Sequence, residues 1–315
     1  MVDQVSDLST TRLVSSGAPL WHAAAANFAP RIGVAYQLFD SSRWATVLRG
    51  GAGLFYDVGF GQLGDVFADN AQYYGQTTYT SNVAFPLTAA QQTPPPLAGT
   101  TLPVTQAAVF DPRLKLPYTI EWNFSIEQRL GTQQTLSASY VGAAGRRSLL
   151  ETYYFRPNPS FNALFVTKNG ATSDYDALQL QFRRQLSRGL QALASYTWSH
   201  SIDTGSAGSS FSFSNALVPE FGAGGNRGPS DFDIRHGFSA AVTYDIPTPK
   251  MTKWATAVLR GWSLHSLIQA RSAQAVNISD ANFFEFNGGI LADVRPDLVP
   301  GAPLYLHGSR YPGGK

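Results

Sequence analysis

Between residues 117 and 130 the chain reads PYTIEWNFSIEQRL, in which Tyr118, Ile120, Trp122, Phe124 and Ile126 alternate with Thr119, Glu121, Asn123, Ser125, Glu127 and Arg129. A two-residue period of this kind predicts a β-strand with one apolar and one polar face. The same period returns in RIGVAYQLF (31 to 39), ATVLRGGAGLFYD (45 to 57), QQTLSASYVG (133 to 142) and YDALQLQFRRQL (175 to 186). It appears again in LQALASYTWSH (190 to 200), IRHGFSAAVTYDI (234 to 246) and LRGWSLHSLIQA (259 to 270). About eight strands are predicted.

The predicted connections alternate in length. The links at 40 to 44, near 131, at 187 to 189 and at 247 to 258 are short, whereas 58–116, 143–174 and 201–233 are expected as long loops. In an up-and-down antiparallel barrel this gathers the short turns at one rim and the long loops at the other, the asymmetry of transmembrane barrels. A sheet in hydrocarbon must close, because each unpaired backbone N–H or C=O costs roughly several kcal/mol there. Alternation also fits the half-buried strands of a soluble sandwich, so periodicity by itself leaves both architectures open.

Composition narrows the function classes. Aromatic residues make up 13% of the 315 residues and charged ones only 14%, with 29 Gly and 19 Pro, a profile suited to an all-β protein. A formal charge of +2 without a Lys/Arg run argues against a nucleic-acid partner. The absence of Cys removes disulfides and thiolate metal sites. No run of 18 apolar residues predicts a membrane helix, and the opening MVDQVSDLSTTRLVSS lacks the features of a signal peptide. As a complete gene product the chain would read as cytoplasmic; as a piece of a longer one it need not.

Several segments resemble the C-terminal barrel of TonB-dependent outer-membrane receptors, specifically the Oar-like group. They are NFAPRIGVAYQLF (27 to 39), TVLRGGAGLFYD (46 to 57), QRLGTQQTLSASYVGAAGRR (128 to 147), NGATSDYDALQLQFRRQLSRGLQALASYTWSHSID (169 to 203), NRGPSDFDIRHGFSAAVTYDIP (226 to 247) and RPDLVPGAPLY (295 to 305). The resemblance implies a larger, 22-stranded barrel with an N-terminal plug and a TonB box, neither of which is visible here. It also implies residence in the outer membrane, contact with its lipid and with the TonB energy-transducing complex, and uptake of a carbohydrate, peptide or metal-chelate ligand. The expectation is therefore a partial transmembrane barrel over 27–315, preceded by an irregular segment over 1–26. An outer-membrane barrel with a structural or adhesive role is the alternative.

Candidate chemistry is sparse. Asp231, Asp233, Arg235 and His236 lie in SDFDIRH, but two acids and one His at this spacing do not make a closed metal site. Asp233 and Arg235 are instead expected as a structural pair at a strand entrance, bonded to neighbouring charges or backbone. GGAGLF (50 to 55) lacks a complete nucleotide-loop pattern and reads as barrel-wall glycine. Ser199 and His200 would point to opposite faces, so no catalytic pair, enzyme activity or cofactor is expected. Tyr73, Tyr74, Phe211, Phe213 and Arg227, in the long loops, are the candidate ligand contacts.

Overall fold

The computed structural model describes residues 2–14, 19, 21–22, 26–41, 43–57, 84–93, 102–104, 107–206, 227–247, 261–276, 284–286, 289–291 and 299–303. Two compact units are present, Met1–Ala275 and Val276–Lys315. The first contains β1 (Arg31–Phe39), β2 (Thr46–Tyr56), the short helix α1 (Ala89–Gln92), β3 (Ala107–Phe110) and β4 (Tyr118–Leu130). It continues with β5 (Gln134–Asn158), β6 (Phe161–Ser187), β7 (Leu190–Asp203), β8 (Gly228–Pro229), β9 (His236–Asp245) and β10 (Ser263–Arg271). In the second unit β11 (Phe284–Phe286) pairs antiparallel with β12 (Gly289–Leu291).

The principal sheet runs β1-β2-β4-β5-β6-β7-β9-β10, every neighbouring pair antiparallel. β3 joins β6 in parallel and β8 joins β7. Eight successive strands therefore make an up-and-down meander, the wall of a partial barrel. Among the described residues β1 and β10 each have one hydrogen-bonded neighbour strand, so the described sheet is open at both edges. In hydrocarbon those edge groups need partners, which is the physical demand that closes a barrel.

Register carries the apolar face unbroken from strand to strand. Val34 pairs with Gly50, Gly50 with Phe124, Phe124 with Tyr140, Tyr140 with Leu178 and Leu178 with Trp198. One row away, Tyr36, Leu48, Ile126, Ala138, Leu180, Tyr196 and Phe238 form a parallel line. These side chains do not enter a dry sandwich interior: Phe124 is 49% exposed and Trp198 55%. Leu178, Leu180 and Phe182 separate the polar Asp176 from Arg184 on this face. That span is about 27 Å along the strand at about 3.4 Å per residue, or about 20 Å of depth at a tilt of about 40°. It suits the apolar zone of a membrane.

The turns explain the short rim. Arg188 (φ 51°) and Gly189 (φ 76°) form the two-residue link between β6 and β7, and positive φ at both central positions is the hallmark of a type I′ turn. A Cβ on Gly189 would lie 2.7 Å from the Asp245 carbonyl oxygen, so space as well as φ requires glycine.

At the other rim the structure departs from the expected loop over 143–174. β5 and β6 continue as a hairpin to a turn at Pro159 and Ser160, where the Asn158 side chain accepts from the Ser160 amide at 2.8 Å. The alternating signal fades because this extension is covered on both sides. Phe161, Leu164 and Val166 are at most 1% exposed, packed with Val2, Val104, Ala107 and Val109. Val5, Leu8, Leu13 and Tyr154 border the same cluster, so the segment near the N-terminus is part of a packed core. Each large apolar side chain buried there contributes about 1.5 to 3 kcal/mol. A register shift between Gly145 and Ser148, with Arg147 at φ 57°, marks the change from wall to extension as a β-bulge.

Trp122 lies across Gly142, and a Cβ there would run into its indole ring. Gly142→Ala should therefore destabilise the barrel by about 1 to 3 kcal/mol. Gly50→Ala, whose Cβ would meet its nearest atom at 3.5 Å, should be tolerated. Thermal unfolding in detergent, followed by heat-modified gel mobility, measures both.

Candidate functional site

The face opposite the apolar one is lined by short polar side chains. Cross-strand pairing aligns Arg49, Ser125, Ser139, Gln179 and Thr197 in one row and Glu127, Ser137, Gln181, Ser195 and Ser239 in the next. Apart from Ser239 these rows line a groove of about 390 Å³, to which Leu180 and Tyr196 also contribute. Arg49 and Glu127, on the adjacent strands β2 and β4, pair at 3.1 Å at one side of it with both side chains partly exposed, a geometry whose net stabilisation is about 0 to 1 kcal/mol. The groove thus offers many uncharged donors and acceptors and one compensated ion pair. Such a surface can wet, or can hydrogen-bond a polar occupant.

Above this wall, the ends of β6, β7 and β9 are fastened by a polar network. Asp233 is 5% exposed and lies three residues before the start of β9 at His236. Its Oδ1 accepts from the Ser201 amide at 2.8 Å, while its Oδ2 lies 2.9 Å from Arg235 Nε and 3.1 Å from His200 Nδ1. Arg235 Nη2 lies 3.1 Å from His200 Nε2. A guanidinium only donates, so His200 Nε2 accepts and Nδ1 carries the proton that it donates to Asp233. Ser199 Oγ turns away to donate to the Ile234 carbonyl at 2.7 Å. Adjacent in sequence, Ser199 and His200 therefore serve different partners.

A second carboxylate is held beside it. Ser206 Oγ donates to Asp203 Oδ2, and the Gly205 and Ser206 amides donate to Oδ1 at 2.9 and 2.8 Å. Burial pushes the Asp203 carboxyl up, but bonds from Ser206, Ser230 and the two amides outweigh it and hold the group below the usual carboxylate range. Ser230 is fully buried, its hydroxyl 2.8 Å from that of Ser201.

The sequence candidates divide among these features. Asp233 and Arg235 are brought together as an ion pair at the entrance to β9. Arg227 spends one guanidinium nitrogen on Asp174 Oδ2 at 2.8 Å, and Arg146 holds Asp174 Oδ1 at 2.7 Å. Burial raises the Asp174 carboxyl, but the two guanidiniums prevail and keep it low. Tyr73, Tyr74, Phe211 and Phe213 lie outside the described residues. From sequence, His200 is weighed only as a rejected catalytic partner of Ser199 and Asp174 is passed over, since the partners that they have in the fold are 33, 28 and 53 residues away. The D-T-G-S run at 203 to 206 did carry a turn signal, an acidic residue placed to accept from amides just ahead of it.

The family described as "Outer membrane beta barrel domain" matches residues 4–313. The search of curated proteins found no match. Among solved structures, the outer membrane transporter YddB from Escherichia coli matches with a TM-score of 0.39 and 12% identity, covering 63% of this chain and 24% of that one. The chain thus spans about a quarter of that transporter's length.

Two measurements test the rim network. Asp233→Ala should lower stability by about 1 to 3 kcal/mol, since the Ser201 amide and two side chains lose their acceptor, with Asp233→Asn losing less. Thermal unfolding in detergent separates the two variants. For Asp203 the folded state binds a proton less readily than the unfolded one, so its stabilisation is present above about pH 4 and lost as pH falls through the lower folded value. Protection of the Gly205 and Ser206 amides, after correction for the intrinsic pH dependence of exchange, should fall across that acid range and show no such fall in Asp203→Asn. The family match covers nearly the whole chain, and with an antiparallel wall whose two faces differ in polarity, the chain belongs to the outer membrane β-barrel family and resides in the outer membrane.

Proposed function

We propose that this chain forms part of the wall and external face of a TonB-dependent receptor for energised uptake across the outer membrane. One observation carries the reading: the Ser, Thr and Gln rows behind the apolar face line a polar groove with a single compensated ion pair beside it. Closed into a full barrel, such a surface would pass a polar solute, or receive a movable polar plug, without burying an unpaired charge. The Oar-like sequence segments support the finer assignment, with a carbohydrate, peptide or metal chelate as ligand and TonB as the energy-transducing partner. Arg227 and the aromatic loop residues Tyr73, Tyr74, Phe211 and Phe213 remain the proposed ligand contacts.

A structural or adhesive barrel is the second reading. The packed β5–β6 extension favours it, because a hairpin with its own apolar core presents a firm surface at the outer rim.

Uptake of labelled oligosaccharides, peptides and ferric chelates by cells expressing the intact gene product, with and without functional TonB, separates the two readings. Accumulation of one class only when TonB is active is the expected result. Equal accumulation in both backgrounds, alongside correct barrel assembly, would support the structural role.

A further inference from the structure

Arginines gather at both rims; at the long-loop rim some are in ion pairs while Arg31 and Arg271 have no carboxylate partner among the described residues. At the long-loop rim Arg146 and Arg227 hold Asp174, Arg235 holds Asp233, and the Arg147 guanidinium lies 5.1 Å from the Tyr118 ring centroid. At the short-turn rim Arg43, Arg129, Arg183, Arg184 and Arg188 have no carboxylate partner among the described residues. Arg43, Arg129, Arg183 and Arg188 are exposed. Arg184 has a buried Nε without a hydrogen-bond partner, and its Nη2 reaches the Ser187 carbonyl at 3.5 Å.

These residues are neighbours because the turns are laced side by side. The Gly131 amide donates to the Arg43 carbonyl at 2.8 Å, Gln185 to Gln133 at 2.9 Å, and Asp245 to Gly189 at 2.7 Å. The acids at this rim are Asp40, which is exposed, and Asp245, whose Oδ1 accepts from Ser263 Oγ at 2.7 Å. Glu127 is already committed to Arg49. Arg43, Arg184 and Arg188 against Asp40 and Asp245 leave the belt positive, and Arg129 and Arg183 add to the charge of the same rim from the polar face.

Depth identifies what meets it. Arg184 follows Phe182 on the apolar face, so its head lies about one strand repeat, roughly 7 Å, beyond the acyl-facing side chains. Trp44, 59% exposed, and Tyr244, 38% exposed, lie at the same rim, where amphipathic rings favour the boundary between hydrocarbon and water. A guanidinium held at that depth faces phosphate oxygens, to which it can donate two parallel hydrogen bonds.

We infer that the short-turn rim is a lipid-binding belt in which Arg43, Arg184 and Arg188 hold the phosphates of anionic glycerophospholipid headgroups. It anchors the wall at one depth and favours an anionic leaflet on the short-turn side. This inference rests on rim geometry and is independent of the transported ligand.

Flotation of the full chain with phosphatidylcholine vesicles, and with vesicles in which part of the phosphatidylcholine is replaced by phosphatidylglycerol, tests it. The wild-type chain should favour the anionic vesicles by at least about tenfold at low salt, the preference shrinking as ionic strength rises. The variant R43Q/R184Q/R188Q should lose the preference while associating with phosphatidylcholine as before. R12Q/R113Q/K115Q, which removes cations elsewhere, should retain it. Should the triple glutamine variant fail on neutral vesicles, the corresponding lysine variant, which keeps the charge, must retain at least part of the wild-type preference. Inorganic phosphate should compete no better than chloride at equal ionic strength. A wild-type chain indifferent to phosphatidylglycerol, a triple glutamine variant that keeps the full preference, or specific displacement by inorganic phosphate would overturn the inference.

Discussion

Backbone hydrogen bonding in a medium without water is the constraint from which this architecture follows. A strand crossing hydrocarbon must give its N–H and C=O groups to neighbours, and β2, β4, β5, β6, β7 and β9 each do so on both sides. Once strands pair in register, side-chain alternation becomes a property of the whole sheet. A residue chosen for lipid on one strand fixes what its cross-strand partners can be. The row from Val34 through Gly50, Phe124, Tyr140 and Leu178 to Trp198 is the direct expression of that coupling.

The two faces consequently divide the labour. The outer one supplies apolar contact and contains few fine fits, of which Trp122 over Gly142 is the clearest. The inner one supplies a polar lining with little net charge. Chemistry concentrated in named side chains appears instead at the ends of the strands, where backbone pairing lapses and side chains must finish the hydrogen bonding. Asp233, Asp203 and Asp174 each do this with a different set of donors.

How much of this was legible in the sequence depended on whether one face stayed free of protein. Strand positions in the wall were readable because Ile120, Trp122, Phe124 and Ile126 alternate strictly with polar residues, and the observed β4 begins at Tyr118 and ends at Leu130. The β5–β6 extension was not, because Leu149 and Leu150, or Leu164, Phe165 and Val166, are consecutive apolar residues, as a strand covered on both faces permits. Arg227 was visible as an isolated cation, but nothing local in the sequence announced Asp174 as its partner. The pairing of Asp233 with Arg235 was readable because the two lie within one short segment.

The buried cap on the β5–β6 extension also has a bearing on the order of assembly. Asn158 donates through its side-chain amide to the carbonyls of Leu8 and Thr11, sequence separations of 150 and 147 residues, whereas the wall hairpins join segments a few residues apart. Closing so large a loop is slow relative to zipping a local hairpin. The clasp between the chain's opening segment and the hairpin tip is therefore expected to close after the local hairpins of the wall have zipped.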